Sequence, residues 1–264
     1  MFTLQDTQQL HKLMEENSHN HILIQKLLDS HQFTLSQISH EIRNPLTALS
    51  GTLQLIEKQH PEVSNYAHWI DAMEDIDFME KLLEDLSLYN NGRRIQNRRI
   101  ETSDFLNHIA LSFAASFADT LMQFTSKIDQ HLSPITGDSS KLRQLFSNLL
   151  RNALEATSYK GKIHLHAAQD SQHLIVKISD NGCGISQSHL SDIFNPFITY
   201  KEHGTGLGLP IVKSIVEAHK GTISVTSVPF RNTTFTIMLP IENHCQEKSG
   251  QHSADMCHII NSGA

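Results

Sequence analysis

A change of hydrophobic period at Asn90-Asn91-Gly92 divides this chain into two halves that cannot share one architecture. Before it, Leu35, Ile38, Ile42, Leu46, Leu49, Leu53 and Ile56 recur in steps of three or four, the stripe of one amphipathic helix. A second stripe, Trp69, Met73, Ile76, Met79, Leu83 and Leu86, follows the breaker KQHPEV, so residues 30–92 read as an antiparallel helical hairpin. Two helices alone bury too little apolar surface. Two hairpins from two chains complete a four-helix bundle, which predicts a homodimer. Past the break, KIHLHA, HLIVKISD, TISVTSV and TFTIML have strand length and patterning, while SDFLNHIALSFAASFADT and SSKLRQLFSNLLRNALEAT are helical in period. Residues 93–241 are therefore expected to form an α/β sandwich, a mixed and mainly antiparallel sheet with helices on one face.

The ends are simpler. Residues 1–29 read as an N-terminal helix that extends the hairpin as a short coiled coil through Leu10, Leu13, Leu23, Leu27 and Leu28. Residues 242–264 read as a disordered tail, because His244 and Cys245 stand too far from Cys257 and His258 for a compact metal site.

The bulk chemistry excludes several classes of function. A net charge of −7 leaves no basic stripe to displace counterions from nucleic acid, and the one dense basic run, RRIQNRR, reads as a solvated boundary. No run of about eighteen apolar residues occurs and the N-terminus lacks a signal-peptide pattern, so no membrane insertion is expected. Three cysteines, an odd number at no zinc spacing, fit a reducing compartment and a cytoplasmic setting.

Four stretches of the second half suit a nucleotide. Asn148 and Asn152 stand one helical turn apart, two carboxamides able to hold Mg²⁺ and phosphate oxygens without adding negative charge. DNGCGI ends a strand with Asp180 and a turn whose Gly182 and Gly184 allow close backbone approach. IFNPFITYK supplies aromatic packing and Lys201. GTGLGL then opens a helix with Gly204, Thr205, Gly206, Leu207 and Gly208, whose amides suit phosphates. Each stretch alone is equally a turn or an exposed helix face.

Their order, Asn-box, DNGxGI, phenylalanine segment and GTGLGL, resembles the ATP-binding domain shared by histidine kinases, gyrase-type topoisomerases and Hsp90-type chaperones. HEIRNPLT ahead of it resembles the dimerisation and phosphotransfer domain of two-component sensor histidine kinases, with wording especially like sporulation kinases. The resemblance implies ATP and Mg²⁺ as cofactors and His40 as phosphoacceptor. It further implies Glu41 as the base that orients His40, and Asn44 as the residue that positions water for dephosphorylating a response regulator. Asn148 and Asn152 would hold the metal, Asp180 the adenine amino group, Gly182 and Gly184 the base pocket, and Lys201 with the glycine run the phosphates. Partners implied are a second copy, the receiver domain of a response regulator, and a separate sensor or regulatory protein, since residues 1–29 are too few for a sensor domain.

Asparagine at 148 cannot act as a base, and the ATP-hydrolysing relatives resemble one another in having glutamate there; this favours transfer to a protein over hydrolysis. Pro45 cannot donate to the carbonyl of Glu41, so a bend just after the acceptor is expected. Cys183 reads as a small filler between glycines. Two other readings stay open: a phosphotransfer adaptor with little catalysis, and a protein-serine kinase on the same ATP fold, which the HEIRN hairpin disfavours.

Overall fold

The computed structural model describes residues 18–92, 95–115, 122–158, 160–201 and 204–242. Residues 1–17 of the coiled coil expected over 1–29, and residues 243–264 of the tail expected over 242–264, lie outside them. Helix α1 (Ser18–Gln59) is continuous through Pro45, a short 3₁₀ turn spans Pro61–Asn65, and α2 (Ala67–Asn91) runs back along α1. Pro61 at the first position of the turn has no amide to leave unpaired. Leu46, Leu53, Ile76 and Leu83 form the hairpin's small core. Ile38, Ile42, Leu49, Ile56 and Met79, from the same two stripes, stay exposed on the single chain, as does Ile70.

The second half is a helix-on-sheet layer. Strand β1 (Arg98–Ile100) pairs antiparallel with β3 (Ile135–Gly137), apart from a five-stranded sheet of β2 (Gln123–Ile128), β4 (Lys162–Gln169), β5 (His173–Asp180), β6 (Thr222–Val228) and β7 (Asn232–Pro240). Its order is β2-β4-β5-β7-β6, with β2 parallel to β4 and every other pair antiparallel. The mixed, mainly antiparallel sheet expected from sequence is present; of the three short strands absent from the sequence reading, β2 adds its parallel edge and β1 and β3 form the separate pair. Alternation explains the layering. Leu174, Val176 and Ile178 of β5 and Ile163 and Leu165 of β4 turn inward, while Lys177 and His164 point away. Helices α3 (Thr102–Ala114), α4 (Ser139–Ala156) and α5 (Gly208–Ala218) cover that inner face with Leu106, Leu145, Phe146, Leu149, Ile211 and Ile215.

Helix α4 carries both asparagines, so what fixes its start matters. Asp138 is its N-cap: one carboxylate oxygen accepts from the amides of Ser140 (3.0 Å) and Lys141 (3.2 Å), the other from the amide of Gln96 (3.0 Å). Burial pushes this carboxyl up, but hydrogen bonds from Ser140, Gln96 and Lys141 outweigh it and hold the pKa at about 2. The Asp138 amide donates to His219 Nε2 at 2.9 Å, so the ring proton sits on Nδ1, which donates to the Ile215 carbonyl at 2.7 Å. The start of α4 is thereby tied to the end of α5.

Asp138→Ala should cost about 1 kcal/mol, or roughly 2–4 °C in melting temperature. A carboxyl with a depressed folded pKa stabilises above its unfolded value and loses that contribution on acidification. The gap between wild type and variant should thus close as pH falls from about 4 to about 2, measured by thermal melts.

Candidate functional site

One cavity of about 270 Å³ lies between α4, the end of β5, the segment after it and the start of α5. Asp180, a buried residue, is part of its lining. As the last residue of β5 it pairs in register with Thr233 of β7, and its carboxylate accepts from the Gly182 amide at 2.9 Å. Burial pushes the Asp180 pKa up, against the opposing pull of that amide and of the Lys201 charge. Ile185, Ile193 and Ile198 line the wall beside it, and the rings of His189 and Tyr200 stack at 3.7 Å with an interplanar angle of 8°.

The other end is polar. Asn152 and Glu155, from the last two turns of α4, face Lys201: its ammonium donates to Asn152 Oδ1 at 3.2 Å and to Glu155 Oε2 at 2.6 Å. Two oxygen donors already hold a cation there, a donor set of the kind that suits a hard divalent metal. Gly204, Thr205, Gly206 and Gly208 close the same end. Helix α5 has Leu207 as N-cap with no side-chain hydrogen bond to its first amides. Those amides and the helix dipole suit an anion.

The residues singled out from sequence are only partly gathered. Asn152, Asp180, Gly184, Lys201, Gly204, Thr205, Gly206 and Gly208 line the cavity. Gly182 is packed behind it, where an added Cβ would stand 2.2 Å from the Ala156 carbonyl oxygen, and Leu207 is fully buried in the core. Asn148 does not line the cavity; its carbonyl oxygen accepts from Arg151 at 3.2 Å in a neighbouring groove between α3 and α4. Cys183, expected as a filler, is exposed at the cavity wall.

His40, Glu41 and Asn44 are exposed on α1, outside the cavity lining. The expected bond between Glu41 and His40 is not made. Consecutive helical residues diverge by about 100° around the axis. Glu41 instead accepts from Gln37, four residues back, at 3.2 Å. Arg43, three residues on, approaches His40 Nδ1 at 3.4 Å and donates to the Leu83 carbonyl of α2 at 3.2 Å. A guanidinium only donates, so in this arrangement Nδ1 is the acceptor and a neutral ring carries its proton on Nε2.

Sequence reading missed four groups. Glu155 had no motif to mark it, and although Tyr200 stands in IFNPFITYK, nothing marked His189 as the ring it stacks on. Lys81 and Asp85, also in the cavity lining, belong to the hairpin. Their spacing of four did place them on one face of α2, but nothing in the sequence said what that face meets.

Comparison with known proteins agrees with both halves. A model described as "His Kinase A (phospho-acceptor) domain" matches residues 30–92, and one described as "Histidine kinase-, DNA gyrase B-, and HSP90-like ATPase" matches residues 137–243. The signal transduction histidine-protein kinase AtoS of Escherichia coli K12 is 36% identical over 78% of this chain and 34% of its own. Sporulation kinase C of Bacillus subtilis is 30% identical over 78% of this chain and 48% of its own. The chain thus spans about a third to a half of these relatives. The crystal structure of full-length ShkA in complex with AMPPNP superposes with a TM-score of 0.66 at 22% identity, over 79% of this chain and 45% of that one, a likeness of fold. Among the described residues no helix is long and apolar enough to cross a membrane.

Proposed function

We propose that this chain, which belongs to the histidine kinase family through both its phosphoacceptor hairpin and its ATP-binding domain, phosphorylates its own His40 from ATP. It then passes the phosphoryl group to an aspartate of a response regulator, working in the cytoplasm as a homodimer. The observation that carries the reading is the convergence of Asn152, Asp180, Lys201 and the Gly204–Gly208 run on one cavity, in a chain that also exposes His40.

The division of labour follows from the geometry. Asp180 accepts a hydrogen bond from the adenine amino group, and Gly182 and Gly184 let the backbone close around the base. Mg²⁺, held by Asn152 and by Asn148 once Arg151 releases it, would supply charge neutralisation between the phosphates. Lys201 leaves Glu155 to face the γ-phosphate, while amides and hydroxyl of Gly204, Thr205, Gly206, Leu207 and Gly208 hold the rest of the chain of phosphates. The unprotonated nitrogen of His40 attacks phosphorus, the bond to the β-phosphate oxygen breaks with its electron pair leaving on ADP, and the ring proton passes to Glu41. Glu41 must first leave Gln37. Because His40 lies outside the cavity, the ATP-binding domain moves, or the partner's cavity is used. Asn44, one turn past His40, orients water when phosphate is removed from the regulator. The exposed stripe of Ile38, Ile42, Leu49 and Ile56 supplies the dimer contact.

Incubation of the purified chain with γ-labelled ATP and Mg²⁺ tests this. Label on the protein that is lost in acid and kept in alkali is expected; acid-stable label, or none despite ATP binding, overturns it.

Acid should also act on the base end. An ionised Asp180 accepts from an amino group more strongly than a protonated one, and its raised pKa means that ATP affinity declines on acidification from above the ordinary carboxylate range. For folding the sign is opposite. The folded state holds the Asp180 proton more tightly than the unfolded chain, so this group's contribution to stability is present at low pH and lost as pH rises through the folded pKa. Titration of ATP binding between about pH 4 and 7, beside melts of wild type and Asp180→Asn, checks both.

A further inference from the structure

The nucleotide cavity is not built by the ATP-binding domain alone. Lys81 and Asp85, one turn apart on α2 of the hairpin, line it. Thr205 donates its hydroxyl hydrogen to Asp85 Oδ2 at 2.6 Å, a bond between residues 120 apart in sequence whose partners are only 9% and 7% exposed. The contact extends along the helix. Leu82, Leu86, Leu88 and Tyr89 pack against the core of the ATP-binding domain. Gly92 abuts Ser214 of α5 so closely that an added Cβ would stand 2.8 Å from its hydroxyl.

This bond occupies a group that the nucleotide needs. Thr205 sits between two glycines of the phosphate end, and its hydroxyl carries one hydrogen, which can go to one acceptor at a time. A phosphate oxygen arriving at the start of α5 must take it from Asp85. The carboxylate would then face a polyanion across a half-enclosed cavity, where like charges repel more strongly than in water. Glu155 adds a second negative charge there, near Arg151 and paired with Lys201 until nucleotide draws the lysine away; among the described residues of the lining, Lys81 is the one cation the hairpin brings.

Resting on the nucleotide site proposed above, we propose that Asp85 of the hairpin is a residue of that site, competing with the nucleotide's phosphates for the Thr205 hydroxyl. Nucleotide binding and docking of the ATP-binding domain on α2 then oppose each other. Linkage makes the opposition reciprocal: docking weakens nucleotide binding, and nucleotide loosens docking by the same factor. A domain freed in this way is loaded and able to travel to His40.

The test uses the full chain with AMPPNP and Mg²⁺ in isothermal titration, comparing wild type with Asp85→Asn. Asparagine keeps the volume and a carbonyl acceptor and removes the charge. The variant should bind AMPPNP about five-fold more tightly or better, the lower end of ordinary coupling between sites. In the wild type, AMPPNP should speed amide hydrogen exchange in residues 82–91, where α2 packs on the ATP-binding domain. Unchanged or weaker binding by Asp85→Asn, with wild type still binding, overturns this inference and leaves the kinase reading standing. If the variant does not fold, exchange in the wild type decides: no change, or slowing, overturns the inference. Wild type that binds no AMPPNP at all overturns both.

Discussion

Substitution of His40 by glutamine is expected to abolish the acid-labile label completely while leaving the fold and the nucleotide site as they are. Glutamine is a good helix former and His40 is exposed, so the cost in stability should stay within about 0.5 kcal/mol. The nucleotide cavity contains no atom of α1, so affinity for ATP should not change. What disappears is the nucleophile, because a carboxamide nitrogen has its lone pair delocalised and cannot attack phosphorus at neutral pH. Labelling measured beside a melting curve and an ATP titration separates this from unfolding. Label that persists in His40→Gln and survives acid would point to a serine acceptor and sink the phosphohistidine route. Arg43→Ala gives a finer reading of the same surface: it frees His40 Nδ1, and any change in labelling rate reports on which ring nitrogen carries the proton at rest.

The parts of this fold that sequence made legible are those in which local pattern and burial agree. In α4 the apolar residues of SSKLRQLFSNLLRNALEA, Leu142, Leu145, Phe146, Leu149 and Ala153, recur at helical spacing and are buried in the structure. In β5, HLIVKISD runs apolar because its inner face meets helices and its outer face is half-buried. Strands β1 and β3 have three residues each and β2 carries QFTSKI, with one aromatic and a charged residue, so no periodicity could emerge from them; pairing with β3 and with β4 creates them.

The site divides on the same line. Asp180 and the glycines were found because they stand in motifs whose order along the chain is distinctive, and at Gly184 and Gly206 the backbone has the positive φ that favours glycine. Asn148 and Asn152 share a helix face, yet only Asn152 reaches the cavity, since four residues turn the helix by about 400° and leave the two about 40° apart around the axis, with Asn148 held by Arg151. The neighbour that Glu41 has here, Gln37, was not read because adjacency in sequence is not adjacency on a helix, where residues four apart meet. Asp85 could not be read at all, because its partner Thr205 is brought to it only by the packing of one domain on another.

Gly206 offers the sharpest test of how the phosphate end is built. Its φ is +66°, and an added Cβ would stand 2.6 Å from the carbonyl carbon of Phe197 and 2.8 Å from the amide nitrogen of Ile198, both backbone atoms that cannot rotate away. The Gly206 carbonyl also accepts from the Phe197 amide at 3.0 Å, and Phe197 itself has φ of 64°, so the two segments brace one another in conformations that side chains resist. In Gly206→Ala the left-handed conformation alone costs about 1–2 kcal/mol. Relief requires the phenylalanine segment to move off the glycine run. Because each 1.4 kcal/mol is about a factor of ten, affinity for ATP should fall about five-fold to thirty-fold if that cost is borne in the nucleotide-bound state. The sheet and its helices lie elsewhere and should keep their cooperative melt. Gly208→Ala is the internal contrast, since nothing lies within 4 Å of a Cβ there and α5 welcomes alanine. If both variants lose ATP but only Gly206→Ala melts earlier without ligand, the crowding at 206 comes from the protein and the crowding at 208 from the nucleotide. Phosphate oxygens then approach the first turn of α5 closely enough to exclude a methyl group. Equal and normal ATP binding by both would mean that the glycine run does not hold the phosphates.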